Sequence, residues 1–382
     1  MRIDQVLPVL ATRDAIGVHV QNIASILEKA GIASTIYYGD AEPDAARLGQ
    51  PIDSIARNAH DRVLLYHLSI GSAVVDVLED VSSPLIIDYH NITPTHLLAP
   101  WDRTVAEVTA LGRRQLAQLA ERCVLGLADS AFNERELIEL DYAATAVAPL
   151  LIDMSRTGQV PDPVVARRLA AKSGPSILFV GQVLPHKAPH SLVAMLAALR
   201  GSYGSSATLT IVGNERSEGY SVALRGYVHD LGLDEAVTIT GAVSEAELEA
   251  YWHGADVFVC ASEHEGFGVP IIEAMSHGVP VVAYGTAAVP DTVGDAGLVI
   301  ASKRPLALAA AVERVLNDDA LRAQLIDAGT ARAALFSLER SKEVFLDVLL
   351  GGIARAGLVP SGSLGRSMQP SSSDLKAHND AH

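Results

Sequence analysis

The sequence predicts an α/β protein of two domains, each built on a doubly wound, largely parallel sheet, facing each other across a cleft. Its 382 residues are more than one ordinary compact domain holds. Short apolar runs alternate with helical patterns almost throughout, which favours parallel sheets covered by helices. The alternation breaks at a polar, proline-bearing stretch near residues 153–163 and restarts after Gly174 and Pro175. Ligands of such sheets bind beyond the carboxyl ends of the strands, and therefore in the cleft.

The strands and helices follow from hydrophobic periodicity. The first half has strand patterns at RIDQVLPVL, STIYYG, RVLLYHLS, PLIIDYH and VLGLADS, and the second half at SILFVG, TLTIVG, AVTITG, ADVFVCAS, VPVVAYG and GLVIAS. Helices are predicted between them, including one from Trp101 to Leu127. The resulting divisions are an N-terminal domain (1–172), a C-terminal domain (173–335), a last helix (336–358) that is a candidate to pack back on the first domain, and a disordered Ser-rich tail (359–382).

Composition excludes several classes of protein. A net charge of −16 argues against binding to nucleic acid, which selects a basic face. Cys123 and Cys260 lie in apolar stretches and are expected to be buried free thiols, as in the cytoplasm. The N-terminus lacks the apolar run of a signal peptide, and no stretch is long enough to span a membrane. The expected location is the cytoplasm, with peripheral membrane contact as a further hypothesis.

That hypothesis depends on four arginines in the predicted helix Trp101–Leu127. They are Arg103, Arg113, Arg114 and Arg122. A solvated helix face is the simpler interpretation. A basic patch that guides the protein to lipid-linked acceptors is the alternative.

The most informative motif is ASEHEGFGVPIIEAMSHGVPVVA, residues 261–283. A strand leads to Glu265, then to Gly266-Phe267-Gly268, and then to a helix opened by Pro270. Glycines at such a turn let backbone N–H groups approach a ligand, and the helix N-terminus attracts an anion such as a diphosphate. Glu273 follows in the first turns of the helix. It could bind sugar hydroxyls or simply complement the helix dipole.

The second motif is LFVGQVLPHKAPHSLV, residues 178–193. It places Gly181 and Gln182 at the end of a strand and Lys187 near the start of the next helix. A loop lysine is usually only solvated.

Two histidines in the first half are candidates for the site. His90 comes just beyond the strand in IIDYHNITP, and His67 stands in LLYHLSIGS. Histidines beside apolar residues are often structural, and His67 is the weaker candidate for function. Gly17, in DAIGVHV after the first strand, could let the backbone pass close to a ligand.

Together these residues resemble the GT4 family of retaining glycosyltransferases, which have the Rossmann-like GT-B fold. Glu265 and Glu273 match its E-x7-E signature, and GVPVVA and AAVPDTVGDAGLVI extend the match over nearly all of residues 175–330. The resemblance implies that Glu265 contacts the donor sugar and Glu273 the ribose. It also implies that Lys187 neutralises the diphosphate.

Further residues take roles through the same resemblance. The family's backbone contacts to sugar, phosphate and base fall on Gly17, Gly181, Gly213, Val243, Gly266, Phe267, Gly268 and Val269, and its active-site histidine falls on His90. One position departs from the family. Gln182 stands where an arginine usually follows the glycine, so a charged phosphate contact is replaced by a neutral donor.

The implied reaction is hexosyl transfer, with retention, from a GDP- or UDP-sugar to an acceptor hydroxyl. No cofactor or metal is expected, because Lys187 and helix amides take that role. The acceptor could be a glycan, a lipid-linked sugar or a small molecule, and the oligomeric state is open. The rivals are a nucleotide-sugar-binding protein that has lost catalysis, suggested by Gln182, and a GT-B sugar phosphorylase or epimerase. A glycosidase fits less well because both glutamates lie on one strand-turn-helix. A dehydrogenase fits poorly because no G-x-G-x-x-G follows a strand.

Overall fold

A computed structural model of the chain describes residues 1–12, 14–59, 61–153 and 160–358. The first sheet is parallel throughout, in the order β3-β2-β1-β4-β5-β6-β7. Its strands are β1 Arg2–Leu10, β2 Ile36–Ala41, β3 Gln50–Pro51, β4 Arg62–Leu68, β5 Leu85–Tyr89, β6 Cys123–Ala128 and β7 Thr145–Val147. Its helices are α1 Ala15–Lys29, α2 Val74–Glu79, α3 Thr95–Leu98, α4 Arg103–Leu119 and α5 Ala131–Glu139.

The second sheet is also parallel, in the order β10-β9-β8-β11-β12-β13. Its strands are β8 Ser176–Val180, β9 Thr208–Val212, β10 Val237–Ile239, β11 Val257–Cys260, β12 Val281–Tyr284 and β13 Leu298–Ile300. The helices of this half are α6 Pro163–Ala170, α7 Pro189–Tyr203, α8 Glu218–Asp230, α9 Glu245–His253, α10 Val269–Ser276, α11 Val289–Val293, α12 Pro305–Asn317, α13 Asp319–Ala334 and α14 Leu338–Arg355.

Strand order determines where each sheet can bind a ligand. Every residue of β4 and β5 is buried, as expected for strands covered by helices on both faces. The order reverses between β1 and β4 in the first sheet and between β8 and β11 in the second. A reversal leaves a crevice at the carboxyl ends of the strands. Each half of the chain therefore has a crevice, at the carboxyl ends of its strands, where a ligand could bind.

The last helix packs against the first sheet, although it follows the second domain in sequence. On α14, Phe345, Leu349 and Ile353 are fully buried among side chains of β1 and α1, including Ile3 and Ile23. The divisions at residues 172/173 and 335/336 stay predictions. The predicted tail at 359–382 and residues 154–159 of the connecting stretch lie outside the described residues.

One predicted helix extends too far. The helix predicted from Trp101 to Leu127 overlaps the predicted strand VLGLADS, and the structure confirms the strand, because α4 ends at Leu119 and β6 begins at Cys123. The apolar run CVLGLA becomes an interior strand because it pairs with β5 on one side and β7 on the other. Arg122 therefore lies outside the helix, and its guanidinium donates to the backbone oxygens of Leu78 and Val81.

Two other expectations can be compared with the structure. Cys123 and Cys260 are free and buried, which confirms that prediction. Within the described part of the chain, no helix combines the length and apolar character that crossing a bilayer requires.

Candidate active site

A cavity of about 240 Å³ lies at the carboxyl ends of both sheets. Its walls come from both halves of the chain. The lining residues are Ala15, Ile16, His90, Asn91, Thr93, Asp129, Leu150, His186, Lys187, His264, Glu265, Gly266 and Phe267. Five predicted site residues are among them: His90, Lys187, Glu265, Gly266 and Phe267.

Lys187 and Glu265 form an ion pair at this cavity. Lys187 ends a short 3-10 turn, Pro185–Lys187, after β8, and Glu265 follows β11. Lys187 Nζ lies 2.6 Å from Glu265 Oε2, and Ser262 Oγ donates to Glu265 Oε1 at 2.7 Å. The two side chains are 23% and 11% exposed. The geometry therefore unites a cation suited to phosphate with a carboxylate suited to sugar hydroxyls.

The turn after Glu265 leads into α10. Gly268 caps the helix with φ = 95°, a left-handed conformation that favours glycine, and a proline occupies the first turn. Gly266 is needed for a different reason. A Cβ there would lie 2.7 Å from Asn91 Cβ and 3.2 Å from the His90 carbonyl oxygen, both in the other half of the chain. The side chain of Glu273 is buried within α10.

The ends of β8 and β9 meet through two glycines. A Cβ on Gly213 would lie 1.9 Å from the carbonyl oxygen of Gly181, and both have positive φ, 149° and 155°. Gln182 is exposed beside them, and Val243 is partly buried next to an apolar cluster. Among the predicted residues that the structure describes, the cavity lining leaves out Gly17, Gly181, Gln182, Gly213, Val243, Gly268, Val269 and Glu273.

Gly17 lies in the first turn of α1, close to the end of β1. The helix begins at Ala15, and the Asp14 side chain accepts the Gly17 N–H at 2.6 Å. A Cβ on Gly17 would lie 1.7 Å from the Ala11 carbonyl oxygen. The glycine is therefore required for close packing between strand and helix, while its neighbours Ala15 and Ile16 line the cavity.

His90 stands just after β5 with both ring nitrogens engaged. Nδ1 lies 3.1 Å from both carboxylate oxygens of Asp129, and Nε2 lies 3.0 Å from His67 Nδ1. Burial lowers the pKa of His90, but the carboxylates of Asp129 and Asp88 outweigh burial and raise it to about 9. Its side chain is 2% exposed. A direct contact between these nitrogens and a sugar therefore stays a prediction.

His67 lies in the interior of the sheet. Its Nε2 donates to Gln5 Oε1 at 3.0 Å, because the Gln5 amide nitrogen already donates to the Val20 carbonyl oxygen at 3.0 Å. Burial lowers the pKa of His67 to about 4. His67 and His90 belong to a buried cluster with His19 and Asp88, whose side chains are all at most 2% exposed.

Hydrogen bonds join the two halves beside the cavity. His264 Nε2 donates to Asn91 Oδ1, and Asn91 Nδ2 donates to Asn133 Oδ1 at 2.7 Å. Ser130 Oγ donates to the Gly266 carbonyl oxygen at 2.8 Å. Burial lowers the pKa of His264 to about 4, so this histidine is a neutral donor at pH 7. The described cleft is therefore held closed at the turn that carries Glu265.

Sequence reasoning missed several lining residues. Asn91, Asp129, His186 and His264 line the cavity. Asp129 comes directly after β6, so the rule that ligands bind at carboxyl ends of strands could have identified it. His186 and His264 stand inside the two motifs that had already been singled out, next to Lys187 and Glu265. Asn91 has φ = 69°, which the sequence does not indicate.

Comparison with known proteins finds a family that part of the chain resembles. Residues 165–332 match the family described as "Glycosyl transferases group 1", and this range carries both motifs. This part of the chain is similar to the GT4-like glycosyltransferases. It is 29% identical over 287 residues to the D-inositol 3-phosphate glycosyltransferase of Kineococcus radiotolerans, covering 69% of this chain and 65% of that one. The enzyme of the same name from Geodermatophilus obscurus is 30% identical over 274 residues, with 68% and 59% covered. The chain thus spans about three fifths to two thirds of the length of these relatives.

Solved structures confirm the GT-B fold of two Rossmann-like domains. Sucrose-phosphate synthase from Thermosynechococcus elongatus is 19% identical, with a TM-score of 0.71 over 93% of this chain and 98% of that one. Anabaena HepE, solved in complex with UDP-glucose, is 16% identical, with a TM-score of 0.72 over 92% and 100%. At such identities the likeness establishes the fold alone.

Proposed function

We propose that this GT4-like protein transfers a hexosyl group from a nucleotide diphosphate sugar to an acceptor hydroxyl, with retention at the anomeric carbon. The observation that carries the proposal is the Lys187–Glu265 pair in the cavity between the two halves, beside the N-terminus of α10. The match of residues 165–332 to a glycosyltransferase family supports a nucleotide-sugar donor.

Lys187 would stabilise the leaving group. The bond that breaks joins the anomeric carbon to a diphosphate oxygen, so negative charge grows on that oxygen in the transition state. An ammonium group and the positive N-terminal end of the α10 dipole would be fixed partners for this charge. When Lys187 moves to the diphosphate, Glu265 is released to accept hydrogen bonds from sugar hydroxyls.

The remaining predicted residues would surround the donor. Gly181 and Gly213 let the backbone approach the diphosphate, with Gln182 as a neutral donor beside it. Glu273 would bind the ribose, and the backbone near Val243 would contact the base. Gly17 and the 266–269 amides would contact the sugar and phosphate. The diphosphate needs no metal in this account, because Lys187 and the α10 amides balance its charge.

Retention would follow without a covalent intermediate on the protein. The acceptor oxygen attacks the face from which the diphosphate departs, and the departing oxygen accepts the acceptor's proton. Glu265 is paired with Lys187 and Ser262, which suits it to binding hydroxyls rather than to attack on the anomeric carbon.

The identities of the donor and of the acceptor are also proposals, and both can be screened. A UDP-sugar is the first donor to test, because Anabaena HepE is solved with UDP-glucose, and GDP-sugars follow. The curated relatives are named for D-inositol 3-phosphate, which makes a phosphorylated cyclitol a natural small-molecule acceptor to test. Glycans and lipid-linked sugars belong in the same screen, with vesicle co-sedimentation as the test of peripheral membrane contact.

One incubation separates the proposal from its rivals. Purified protein is mixed with radiolabelled UDP- or GDP-sugar and each acceptor, after a thermal-shift screen has identified the donor that raises the melting temperature. Transfer of label to the acceptor supports the proposal. Binding without transfer indicates a nucleotide-sugar-binding protein, and label released as sugar phosphate with inorganic phosphate present indicates a phosphorylase.

A further inference from the structure

Three side chains converge at the carboxyl end of β4 and β5, beneath the cavity. His67 Nδ1 lies 3.0 Å from His90 Nε2, Asp88 Oδ2 lies 3.2 Å from His67 Nδ1, and Asp88 Oδ2 lies 3.7 Å from His90 Nε2. All three side chains are at most 2% exposed. We propose that these three atoms bind a divalent transition-metal ion, with Zn²⁺ as the first candidate.

The spacing of the three atoms suits such an ion. Ligands about 2.0–2.2 Å from a tetrahedral zinc lie roughly 3.3 Å from one another, and the three separations bracket that value. The point equidistant from the three atoms lies about 1.9 Å from each of them. A metal ion with bonds of about 2.0–2.2 Å would therefore sit just out of their plane.

Hydrogen bonds on the far side of each ring orient lone pairs towards this point. The Nε2 proton of His67 is donated to Gln5 Oε1, and the Nδ1 proton of His90 is donated to Asp129. Metal-bound histidines usually donate their other N–H to a carboxylate or carbonyl in this way. Metal binding would displace the proton that links His67 Nδ1 to His90 Nε2 at 3.0 Å, and lone pairs of His67, His90 and Asp88 would then point at the ion.

His19 supports the site rather than joining the ligands. The Leu151 N–H donates to His19 Nδ1 at 2.8 Å, so the proton of a neutral His19 ring is on Nε2. That Nε2 lies 2.9 Å from Asp88 Oδ2 and donates to it. His19 is therefore a positioning residue for the Asp88 carboxylate.

The carboxylate charges of the cluster and one buried oxygen atom that lacks a hydrogen bond also favour a cation. Asp88 and Asp129 bring two carboxylates into this buried cluster, and a divalent ion that displaces the proton between His67 and His90 would balance their charge. Asp88 Oδ1 is buried and has no hydrogen-bond partner in the described part of the chain. Two imidazoles and a carboxylate form a donor set suited to Zn²⁺ or Fe²⁺ rather than to Mg²⁺ or Ca²⁺.

The position of the cluster indicates what the ion would do. It would tie β4 to β5 and, through Asp129 and His19, to β6 and α1, directly behind the cavity wall formed by His90. The expected role is to fix the floor of the cavity. This inference does not depend on glycosyl transfer, because metal binding can be measured with no sugar present.

The test is metal analysis of untagged protein, since a histidine tag would bind metal itself. Protein purified without chelators is loaded with Zn²⁺ or Co²⁺, dialysed and analysed by plasma mass spectrometry. We expect about one equivalent in wild type and in His229→Gln, whose histidine is 78% exposed, and at least a tenfold loss in His67→Gln. Far-UV circular dichroism checks that His67→Gln folds.

A second measurement uses wild type alone, in case His67→Gln does not fold. The Co²⁺ form should show visible d–d bands of a nitrogen- and oxygen-ligated ion, and removing metal with dipicolinate should lower the melting temperature. Folded wild type that retains less than a tenth of an equivalent, with an unchanged melting temperature, would overturn the proposal and leave a cluster held by protons only.

Discussion

Lys187 Nζ and Glu265 Oε2 lie 2.6 Å apart and join the loops that follow β8 and β11, two neighbouring strands of the second sheet. The resemblance to the GT4 family assigns one of them to the diphosphate and the other to the sugar. Under the proposed function, donor binding would exchange the partners of Lys187 and Glu265 rather than place two new charges in the cavity. This exchange limits the cost of holding a lysine and a glutamate that are only 23% and 11% exposed.

Replacing Lys187 with alanine should reduce kcat more than donor affinity, because charge on the leaving diphosphate grows in the transition state. We expect a loss in kcat on the order of 10²–10³-fold, as for other oriented charge stabilisers. Steady-state kinetics measure it, with Lys342→Ala on α14 as a control that should keep wild-type kcat. An unchanged kcat with a raised KM would contradict this role.

Replacing Glu273 with glutamine should weaken binding of the free nucleoside diphosphate while preserving side-chain volume in α10. A charge-assisted hydrogen bond to ribose is worth about 1.5–3 kcal/mol, or roughly 10- to 100-fold in Kd. Calorimetric titration with UDP and GDP measures the change, and Glu339→Gln on α14 is the matched control. Undiminished binding would mean that Glu273 only complements the dipole of α10.

Replacing Gln182 with arginine should tighten diphosphate binding, because charge-assisted hydrogen bonds are about twice as strong as neutral ones. Gln182 is exposed at the end of β8, so a longer side chain has room. We expect roughly a tenfold lower Kd for UDP. Gln50→Arg, at the exposed edge strand β3, adds the same charge elsewhere and should change nothing. Equal affinities in Gln182→Arg and wild type would show that the diphosphate lies away from this position.

Replacing Gly266 with alanine should open the cleft. The added Cβ would lie 2.7 Å from Asn91 Cβ and would disturb the Ser130 hydrogen bond to the Gly266 carbonyl oxygen. Donor affinity and melting temperature should both fall. The control is Gly226→Ala in α8, where a Cβ meets nothing within 4 Å and should add about 0.5–1 kcal/mol of stability. Wild-type donor affinity in Gly266→Ala would contradict the closed arrangement.

Stability should decrease as the pH falls from about 6.5 to 4. Burial lowers the pKa of His264 to about 4, so the unfolded chain takes up a proton in this range and the folded chain does not. The stabilisation is complete above pH 6.5 and is lost towards pH 4, by at most about 3 kcal/mol. Urea unfolding between pH 4.5 and 7 should show a shallower dependence in His264→Gln than in wild type. Identical pH profiles would argue against this contribution, and His229→Gln should match wild type.

Periodicity predicted the fold well because each predicted strand is a short apolar run between turn residues. The error at Trp101–Leu127 has a physical cause. Helical spacing continues to Leu119, and the apolar residues from Cys123 onward fit either a helix or an interior strand. Pairing with β5 and β7 decides between them, and such pairing is not visible in local sequence. The edge strands β3 and β7 were missed because they have only two and three residues.

The site was predictable where a local motif carries it. Glu265 and Lys187 follow strands in recognisable turns, so the sequence alone could predict that each lies at the carboxyl edge of a sheet. The partners of His90 were not predictable in the same way. Asp129, His67 and His19 come from different strands and a helix, and only the assembled first sheet brings them together.

The measurement that tests the central claim most directly is proton NMR of a running reaction with the donor that the thermal-shift screen selects. The account predicts release of nucleoside diphosphate that depends on acceptor, with a product whose anomeric proton shows the same configuration as the donor. Lys187→Ala should slow both signals together. Tight donor binding by wild type with no product from any acceptor, or a product of inverted configuration, would contradict the account.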